Sequence, residues 1–257
     1  MSVIRAIRRR YKMVTRVSTR PASAWRLVYS LLDFAPWTSN MKFEVPALDT
    51  QVWVRLGAKS SDLQILDEIV RGEYDFNYPS RVSSIMDLGA NVGYSALWFH
   101  KRYPEAQIIC VEPDSANCKQ LIRNVEGIGQ IVLIRAAIGL EPGIVSLQDP
   151  GRRSSGLRTF ETEQPARPIG WVPSLSLGDL VRLAPTSRVD ILKIDIEGAE
   201  LELLSDSDTW RCSVASVVVE THERFRPGCD HAWNIFTAGW YVAQPNGPTR
   251  FALAEEV

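Results

Sequence analysis

The sequence has 257 residues, of which 45% are hydrophobic and 23% charged, and its formal net charge is −1. These values are typical of one globular domain with a sizeable core, and they exclude a low-complexity chain. Eight basic residues precede the first acidic residue, Asp33, so removing them from the 29 basic residues leaves 21 against 30 acidic ones. Because this remainder is acidic, we expect no nucleic-acid partner held through its phosphates.

Residues 1–45 are predicted to form a basic N-terminal extension, and residues 46–257 the main domain. Four apolar residues recur at helical spacing opposite the arginines, which predicts a short amphipathic helix: Ile4, Ile7, Tyr11 and Val14. Two interpretations remain open. In the first, the segment is a solvated and partly disordered leader. In the second, residues 1–20 form a contact surface for an acidic membrane or for a partner enzyme.

The cellular location is predicted from the cysteines and from the apolar runs. The four cysteines have neither a C-x-x-C spacing nor the spacing of a zinc site. No apolar run approaches the length of a bilayer span. We therefore expect a cytoplasmic protein, with a peripheral membrane position if the basic helix binds lipid.

The next segments predict a β-hairpin followed by an α/β alternation. Residues 43–56 alternate in polarity around a turn at 48–50, and Ser61 or Asp62 is predicted to cap a helix that ends at Gly72. Short apolar runs then alternate with helical stretches, which predicts a mostly parallel sheet with helices on both faces. The strands are expected at 83–86, 107–111, 131–135, 189–194 and 214–219, the helices at 94–102 and 116–125, and an extra edge strand at 144–148.

Residues 150–173 interrupt this alternation and predict a long loop over the carboxyl edge of the sheet. The loop contains Arg152, Arg153, Ser154, Ser155, Arg158, Arg167 and Trp171. Its arginines could bind an acidic sugar or a carrier phosphate, and Trp171 could stack on a sugar ring. A solvated loop with one packing tryptophan explains the same residues equally well.

A glycine-containing turn after the first predicted core strand points to a nucleotide-like cofactor. The residues concerned are Asp87, Gly89, Ala90, Asn91, Gly93 and Ser95. Gly89 and Gly93 allow a sharp turn and a close approach to a ligand. An acid at position 87 would repel a pyrophosphate, so the turn differs from the dinucleotide fingerprint and favours a cationic ligand. S-adenosylmethionine carries an ammonium group and a sulfonium, and it is the predicted cofactor. Asp87 and the turn from Gly89 to Gly93 are expected to hold its amino-acid end.

The remaining cofactor contacts are predicted at the ends of the following strands. Glu112, next to Pro113, stands 25 residues after Asp87, where α/β nucleotide folds present an acid to the ribose hydroxyls. Ala136 and Ala137 are expected to flank the adenine. Asp195 ends a later strand and is expected near the methyl group.

Charged residues at the ends of two apolar strands supply the candidate catalytic groups. Lys193, Asp195 and Glu197 alternate onto one side of their strand, and Glu220 and His222 onto one side of the next. Such charges are costly at a buried strand end unless they pair or bind something. A surface ion-pair ladder is the structural alternative.

Each of these charged residues has a predicted role. His222 is the predicted general base, because a near-neutral imidazole accepts a proton at working pH, and Asp195 is the second candidate. Lys193 is expected to orient the substrate oxygen or to pair with Glu220. The site is predicted to be metal-free; the alternative is a magnesium site formed by Asp195, Glu197, Glu220 and His222.

At these motifs the sequence resembles the FkbM family of S-adenosylmethionine-dependent methyltransferases, over about residues 50–222. The matching segments are Val54-Arg55-Leu56, Ser61-Asp62, Glu73-Tyr74, the turn from Asp87 to Ser95, Glu112-Pro113 with Asn117 and Asn124, Ala137-Ile138-Gly139, Lys193 to Glu200, and Glu220-x-His222. The resemblance implies a class I methyltransferase Rossmann-like α/β fold behind an N-terminal helical and hairpin extension. One departure is Gly178, where the family commonly has an acid, so that acid's role is not transferred.

The resemblance also implies the reaction. Family members mostly methylate hydroxyl groups of sugars and secondary metabolites, so a small-molecule or glycan acceptor is expected. Two alternatives stay open: a cofactor-binding protein without turnover, and a nicotinamide-dependent oxidoreductase, against which Asp87 argues. The sequence predicts neither the acceptor nor the oligomeric state.

Overall fold

The structure is a computed structural model that describes residues 3–18, 39–57, 60–149, 167–185, 188–224, 226–245 and 247–254. Its strands are β1 (Ser39–Val45), β2 (Thr50–Leu56), β3 (Ser84–Leu88), β4 (Gln107–Val111), β5 (Ile131–Ile134), β6 (Ala137–Gly139), β7 (Gly143–Asp149), β8 (Arg167–Ser176), β9 (Ile191–Ile194), β10 (Ser216–Glu220), β11 (Trp240–Val242) and β12 (Thr249–Ala254). Its α-helices are α1 (Val3–Val17), α2 (Asp62–Val70), α3 (Tyr94–Arg102), α4 (Ser115–Asn124), α5 (Leu177–Val181), α6 (Glu200–Ser205) and α7 (Cys229–Phe236).

The central sheet has the strand order β11-β12-β10-β9-β3-β4-β5. Strands β10, β9, β3, β4 and β5 run parallel to one another, whereas β12 pairs antiparallel with both β10 and β11. The chain moves from β3 to β4 on one side and later returns to β9 on the other. Ligands of such sheets bind in the crevice at this switch of direction, at the carboxyl ends of the strands.

Helices cover both faces of the sheet, as predicted, because alternate residues of each strand face opposite cores. Ile85 of β3 and Ile108 of β4 pack on one face with α2, α3 and α4. Met86 and Ile109, the next residue of each strand, pack on the other face with α5, α6 and α7. The fold is therefore the class I methyltransferase Rossmann-like fold expected from the sequence. Among the described residues, no helix is both long enough and apolar enough to cross a bilayer.

The predicted hairpin is present and consists of β1 and β2, which pair antiparallel. A 3₁₀ turn at Pro46–Leu48 joins them, and Asp49 completes the turn with a left-handed φ of 53°. The boundary predicted between residues 45 and 46 falls within this hairpin, between its two strands.

Residues 3–17 form the predicted N-terminal helix, α1, and it packs against the domain. Met13, Val14 and Val17 are buried in the first core, whereas Tyr11 is 51% exposed. The interpretation as a solvated leader is therefore wrong for this part, and the buried face includes positions 13 and 17 instead of position 11. The side chains of residues 1–7 lie outside the described ones.

The predicted cap of α2 is wrong. Ser61 has helical backbone angles, and its side chain makes no capping hydrogen bond. The carboxylate of Asp62 instead accepts hydrogen bonds from the backbone nitrogen of Arg55, at 2.9 Å, and from its guanidinium, at 2.7 Å. This buried ion pair connects the hairpin to α2.

A second sheet, of strand order β6-β8-β7, lies apart from the central one. The strand predicted at 144–148 is confirmed as β7, but it is an edge strand of this second sheet. The loop predicted at 150–173 is wrong from residue 167 onward, because β8 begins there. Residues 150–166, which include most of its arginines, lie outside the described residues. Trp171 lies on β8 and is 72% exposed.

Candidate active site

A cavity of about 380 Å³ opens at the carboxyl edge of the parallel strands. It brings together most of the predicted site residues, namely Gly89, Ala90, Asn91, Ser95, Glu112, Pro113, Ala136, Ala137, Lys193, Asp195, Glu197, Glu220 and His222. Asp87 and Gly93 do not line it. The wall opposite the strand ends comes from α2 and from the segment after it.

The turn after β3 is attached to the end of β4. The backbone nitrogens of Gly89 and Ala90 both donate to the carbonyl oxygen of Val111, at 2.9 and 3.1 Å. Gly89 has a φ of +75°, and a Cβ there would lie 1.8 Å from the carbonyl oxygen of Asp195. Glycine is therefore required because the backbone that follows β9 passes close by, and not only for the approach of a ligand.

Asp87 lies beneath this turn and is fully buried. Its Oδ1 is 2.9 Å from Nζ of Lys193, and its Oδ2 accepts a hydrogen bond from Ser95 at 2.6 Å. The predicted direct contact between Asp87 and the amino-acid end of the cofactor does not fit this position. Asp87 instead holds two side chains, Lys193 and Ser95, that line the cavity.

Lys193 is buried, and its partners differ from those predicted. Its ammonium donates to the carbonyl oxygen of Gly89 at 3.0 Å and lies 3.8 Å from Asp195. Burial lowers the pKa of Lys193, but the charges of Asp87 and Asp195 outweigh burial and raise it above its ordinary value. The predicted pairing of Lys193 with Glu220 is therefore wrong, and Lys193 connects β3 to the end of β9.

Glu112 ends β4 and is 5% exposed. Its Oε2 accepts a hydrogen bond from the nitrogen of Asn91 at 2.9 Å, and its Oε1 accepts from Asp114 N at 2.9 Å and Asn117 Nδ2 at 3.2 Å. Burial raises the pKa of Glu112 to about 7. A carboxylate offers about four acceptor positions. Three are filled here, so about one remains for a ligand hydroxyl.

His222 lies among four carboxylates. Its Nδ1 is 3.1 Å from Oε1 of Glu200, and its Nε2 is 3.7 Å from Oε2 of Glu197. Nε2 is also 4.0 Å from Asp195 Oδ1 and 4.0 Å from Glu220 Oε1. Glu197 has a left-handed φ of 57°, which is uncommon outside glycine and is often found at functional sites.

These carboxylates determine the charge of the imidazole. Burial lowers the pKa of His222, but the hydrogen bond to Glu200 and the charges of Glu200, Asp195 and Glu197 raise it to about 10. Burial, followed by repulsion from Asp195, raises the pKa of Glu220 well above its ordinary value. These carboxylates favour the protonated imidazole, which argues against His222 as a neutral general base, and the assignment of the base stays a prediction.

Three acidic residues of the site were not predicted as site residues: Glu68, Glu73 and Glu200. Glu68 lies on α2 and Glu73 follows it, and both line the cavity. Burial raises the pKa of Glu73 to about 7, with further contributions from Asp195 and Glu68. Glu200 is fully buried, and its Oε1 accepts a hydrogen bond from the nitrogen of Ile196 at 2.8 Å. Glu73 and Glu200 lie in the segments that resemble the FkbM family, and this resemblance was the signal that could have identified them as site residues.

Parts of the chain are similar to known methyltransferases. The sequence pattern described as the Methyltransferase FkbM domain matches residues 87–239. Methyltransferase sdnD of Sordaria araneosa is 28% identical over 185 residues, which cover 58% of this chain and 70% of that protein. Hexuronic acid methyltransferase AglP of Haloferax volcanii is 24% identical over 144 residues, which cover 56% and 57%. A crystal structure of methyltransferase FkbM from Methylobacillus flagellatus is 14% identical, with a TM-score of 0.45 and coverage of 74% of this chain and 54% of that one.

Proposed function

We propose, from the premise that this chain belongs to the FkbM methyltransferase family, that it transfers a methyl group from S-adenosylmethionine to a hydroxyl oxygen. The acceptor is a sugar, a glycan or a secondary metabolite. The observation that carries this proposal is the single cavity wall that runs from Glu112 on β4 to Asp195 after β9. This wall places Glu112, an acceptor for nucleoside hydroxyls, at one end of the cavity and the negative charge of Asp195 at the other. The cavity volume of about 380 Å³ is typical of small-molecule sites.

The residues of the cavity fit S-adenosylmethionine. Oδ1 of Asn91 is buried and has no hydrogen-bond partner in the described part of the chain, so it is available to a hydroxyl or ammonium donor. Glu112 has about one acceptor position left for a ribose hydroxyl. Ala136, Ala137 and Ile138 offer a small apolar surface to the adenine. At the other end, Asp195 offers negative charge to the sulfonium.

Bound S-adenosylmethionine supplies a methyl group that is already activated by a positively charged sulfur. The chain has to align the acceptor, exclude water and accept the hydroxyl proton. Asp195 is the proposed proton acceptor, because it lines the cavity and its side chain is 28% exposed, whereas the carboxylates around His222 favour the protonated form of its ring. Lys193, held by Asp87, keeps Asp195 and the glycine turn at a fixed separation.

Two alternatives were left open by the sequence. Membership of a methyltransferase family argues against the nicotinamide-dependent oxidoreductase. A protein that binds the cofactor without turnover predicts tight binding and no transfer to any acceptor. AglP acts on a hexuronic acid, according to its name, so uronic acids belong among the acceptors tested alongside neutral sugars, amino sugars and hydroxylated secondary metabolites.

The test combines calorimetry of S-adenosylmethionine binding with methyl transfer to that set of acceptors. We expect Asp195→Asn to keep cofactor binding within a few-fold and to lower the transfer rate by about 10²–10⁴-fold, the usual effect of removing a positioned base. Asp208→Asn is the matched control, because Asp208 is exposed and does not line the cavity. Binding without transfer to any acceptor would favour the non-catalytic alternative, and absence of binding would refute the proposal.

A further inference from the structure

Three side chains at the end of the cavity opposite Glu112 carry atoms of metal-ligand type close to one another. Asp195, Glu200 and His222 each offer one ligand atom, and these atoms lie within 4.8 Å of one another. They come from three different segments, namely the end of β9, the start of α6 and the end of β10. Two atoms bound to one ion at about 2.0–2.2 Å are at most about 4.4 Å apart, so a small movement of the side chains suffices for a shared ion.

Glu200 provides an independent sign of a missing partner. The residue is 0% exposed, and its Oε1 is occupied by the nitrogen of Ile196 and by His222 Nδ1. Its other oxygen, Oε2, is buried without a hydrogen-bond partner among the described residues. A buried carboxylate oxygen without a partner is strongly destabilising. A cation bound to this carboxylate would satisfy that oxygen.

The charge around these three residues also favours a cation. Glu197, Glu220 and Glu73 line the same end of the cavity. The nearby basic side chains offset only part of this charge, since Lys193 is 2.9 Å from Asp87 and 3.8 Å from Asp195, and Arg71 pairs with Asp67 at 2.9 Å. His222 lies within 4.0 Å of Asp195, Glu197, Glu200 and Glu220. One imidazole faces an excess of carboxylates.

We propose that Asp195, Glu200 and His222 bind a divalent metal ion, of the class that combines carboxylate oxygens with one imidazole nitrogen. Mn²⁺ fits this donor set, because carboxylates suit Mn²⁺ and Mg²⁺ whereas the imidazole favours a transition metal over Mg²⁺. This set differs from the magnesium site that the sequence suggested, because Glu200 replaces Glu197 and Glu220, which flank the ion.

The ion also has a role in the reaction, and only this role rests on the proposed methyl transfer. An ion at the acceptor end of the cavity binds the hydroxyl oxygen and lowers the pKa of the hydroxyl. With Asp195 bound to the ion, the proton passes to the carboxylate of Glu197 or Glu220, which takes the place of Asp195 as proton acceptor. The oxygen lone pair then forms the new bond to the methyl carbon while the bond from that carbon to sulfur breaks. The sulfur keeps the electron pair.

The test is a titration of the full-length protein with Mn²⁺ alone, followed by calorimetry and by the electron paramagnetic resonance signal of the free ion. We expect one saturable site per chain, with affinity for Mn²⁺ exceeding that for Mg²⁺. Glu200→Gln and, separately, His222→Gln should weaken Mn²⁺ binding by at least about tenfold. Glu112→Gln, at the opposite end of the same cavity, is the matched control and should leave Mn²⁺ binding unchanged.

The outcomes separate this proposal from the proposed function. Saturable Mn²⁺ binding that both variants weaken supports the site, even where no acceptor is methylated. No saturable binding, or binding unchanged in both variants, would show that the cluster is an ion-pair network around a protonated imidazole. Circular dichroism of each variant verifies folding, and Asp195→Asn gives a third measurement if Glu200→Gln does not fold.

Discussion

Gly89 is constrained both by its own backbone conformation and by a close contact with the chain after β9. Its φ of +75° disfavours any side chain, and a Cβ would meet the Asp195 carbonyl oxygen at 1.8 Å. Gly89→Ala should therefore lower the free energy of unfolding by at least about 2 kcal/mol, as measured by urea denaturation. It should also weaken cofactor binding, because the turn must move away from β9.

Gly127 provides the matched control for Gly89. Its φ is +86°, but a Cβ there would meet no atom within 4 Å. Gly127→Ala introduces the backbone strain alone, which costs about 1 kcal/mol. Equal losses of stability in the two variants would mean that the Asp195 contact contributes nothing.

Glu112 should make cofactor binding depend on pH. Burial raises its pKa to about 7 in the folded protein, above the ordinary value of 4.5. Its contribution to stability is therefore complete below about pH 4.5 and is lost as the pH rises through about 7. A ligand hydroxyl donates to the ionised carboxylate, so affinity for S-adenosylmethionine should rise by up to about tenfold between about pH 6 and 8.

Calorimetry at several pH values measures this effect. Glu112→Gln keeps the size of the side chain but cannot ionise, so its affinity should be lower and should lack the rise. The same rise in wild type and variant would assign the titration to another group, and Glu112 would lose its proposed place at the ribose.

At the scale of elements, α1 should stabilise the wall of the cavity. Val17 is fully buried, and Arg16 of the same helix bonds Asp67 of α2 at 2.7 Å. Val17→Ala removes buried apolar volume and should cost about 1–2.5 kcal/mol of unfolding free energy. Denaturant unfolding of Val17→Ala and of Tyr11→Ala, which alters a 51% exposed residue, measures the difference.

A loss of stability below about 0.5 kcal/mol in Val17→Ala would contradict the docked helix. Arg8, Arg9 and Lys12 of the same helix are exposed. The predicted contact of residues 1–20 with a membrane or a partner enzyme remains a prediction, and α1 would have to make it through this outer face while its inner face stays packed.

At the scale of the whole molecule, the sequence was sufficient to predict the central sheet and the edge where the site lies. Apolar runs such as 107–111 are long enough for one buried strand, and parallel strands bring their carboxyl ends to one edge. Glu112, Asp195 and His222 therefore come together although about 110 residues separate the first from the last. The second sheet was missed because β8 lies in a segment rich in arginine, proline and glycine, which reads as loop.

The contacts within the site could not be predicted, because they depend on strand register and on summed charge. Asp87 is opposite Lys193 in the pairing of β3 with β9, and this register determines that they form an ion pair. The pKa of His222 depends on Asp195, Glu197 and Glu200, and Glu200 comes close to the ring only because α6 begins there. A residue pattern gives neither the distances between the charged groups nor the summed effect of their charges on a pKa.

Phe251 on β12 has a consequence for the time course of synthesis. It is fully buried, stacks on Phe76 at a centroid distance of 5.3 Å and meets Tyr78 edge-on at 4.9 Å. Phe76 and Tyr78 are synthesised before β3, whereas Phe251 is synthesised about 175 residues after Phe76. A translating ribosome adds about 5–20 residues per second, so roughly 10–30 s pass before Phe251 can pack against them. Through that interval the nascent chain presents an aromatic surface and, once β10 is made, an unpaired strand edge. We therefore expect a chaperone to protect the nascent chain until β12, which follows the other described strands in the sequence, completes this pairing.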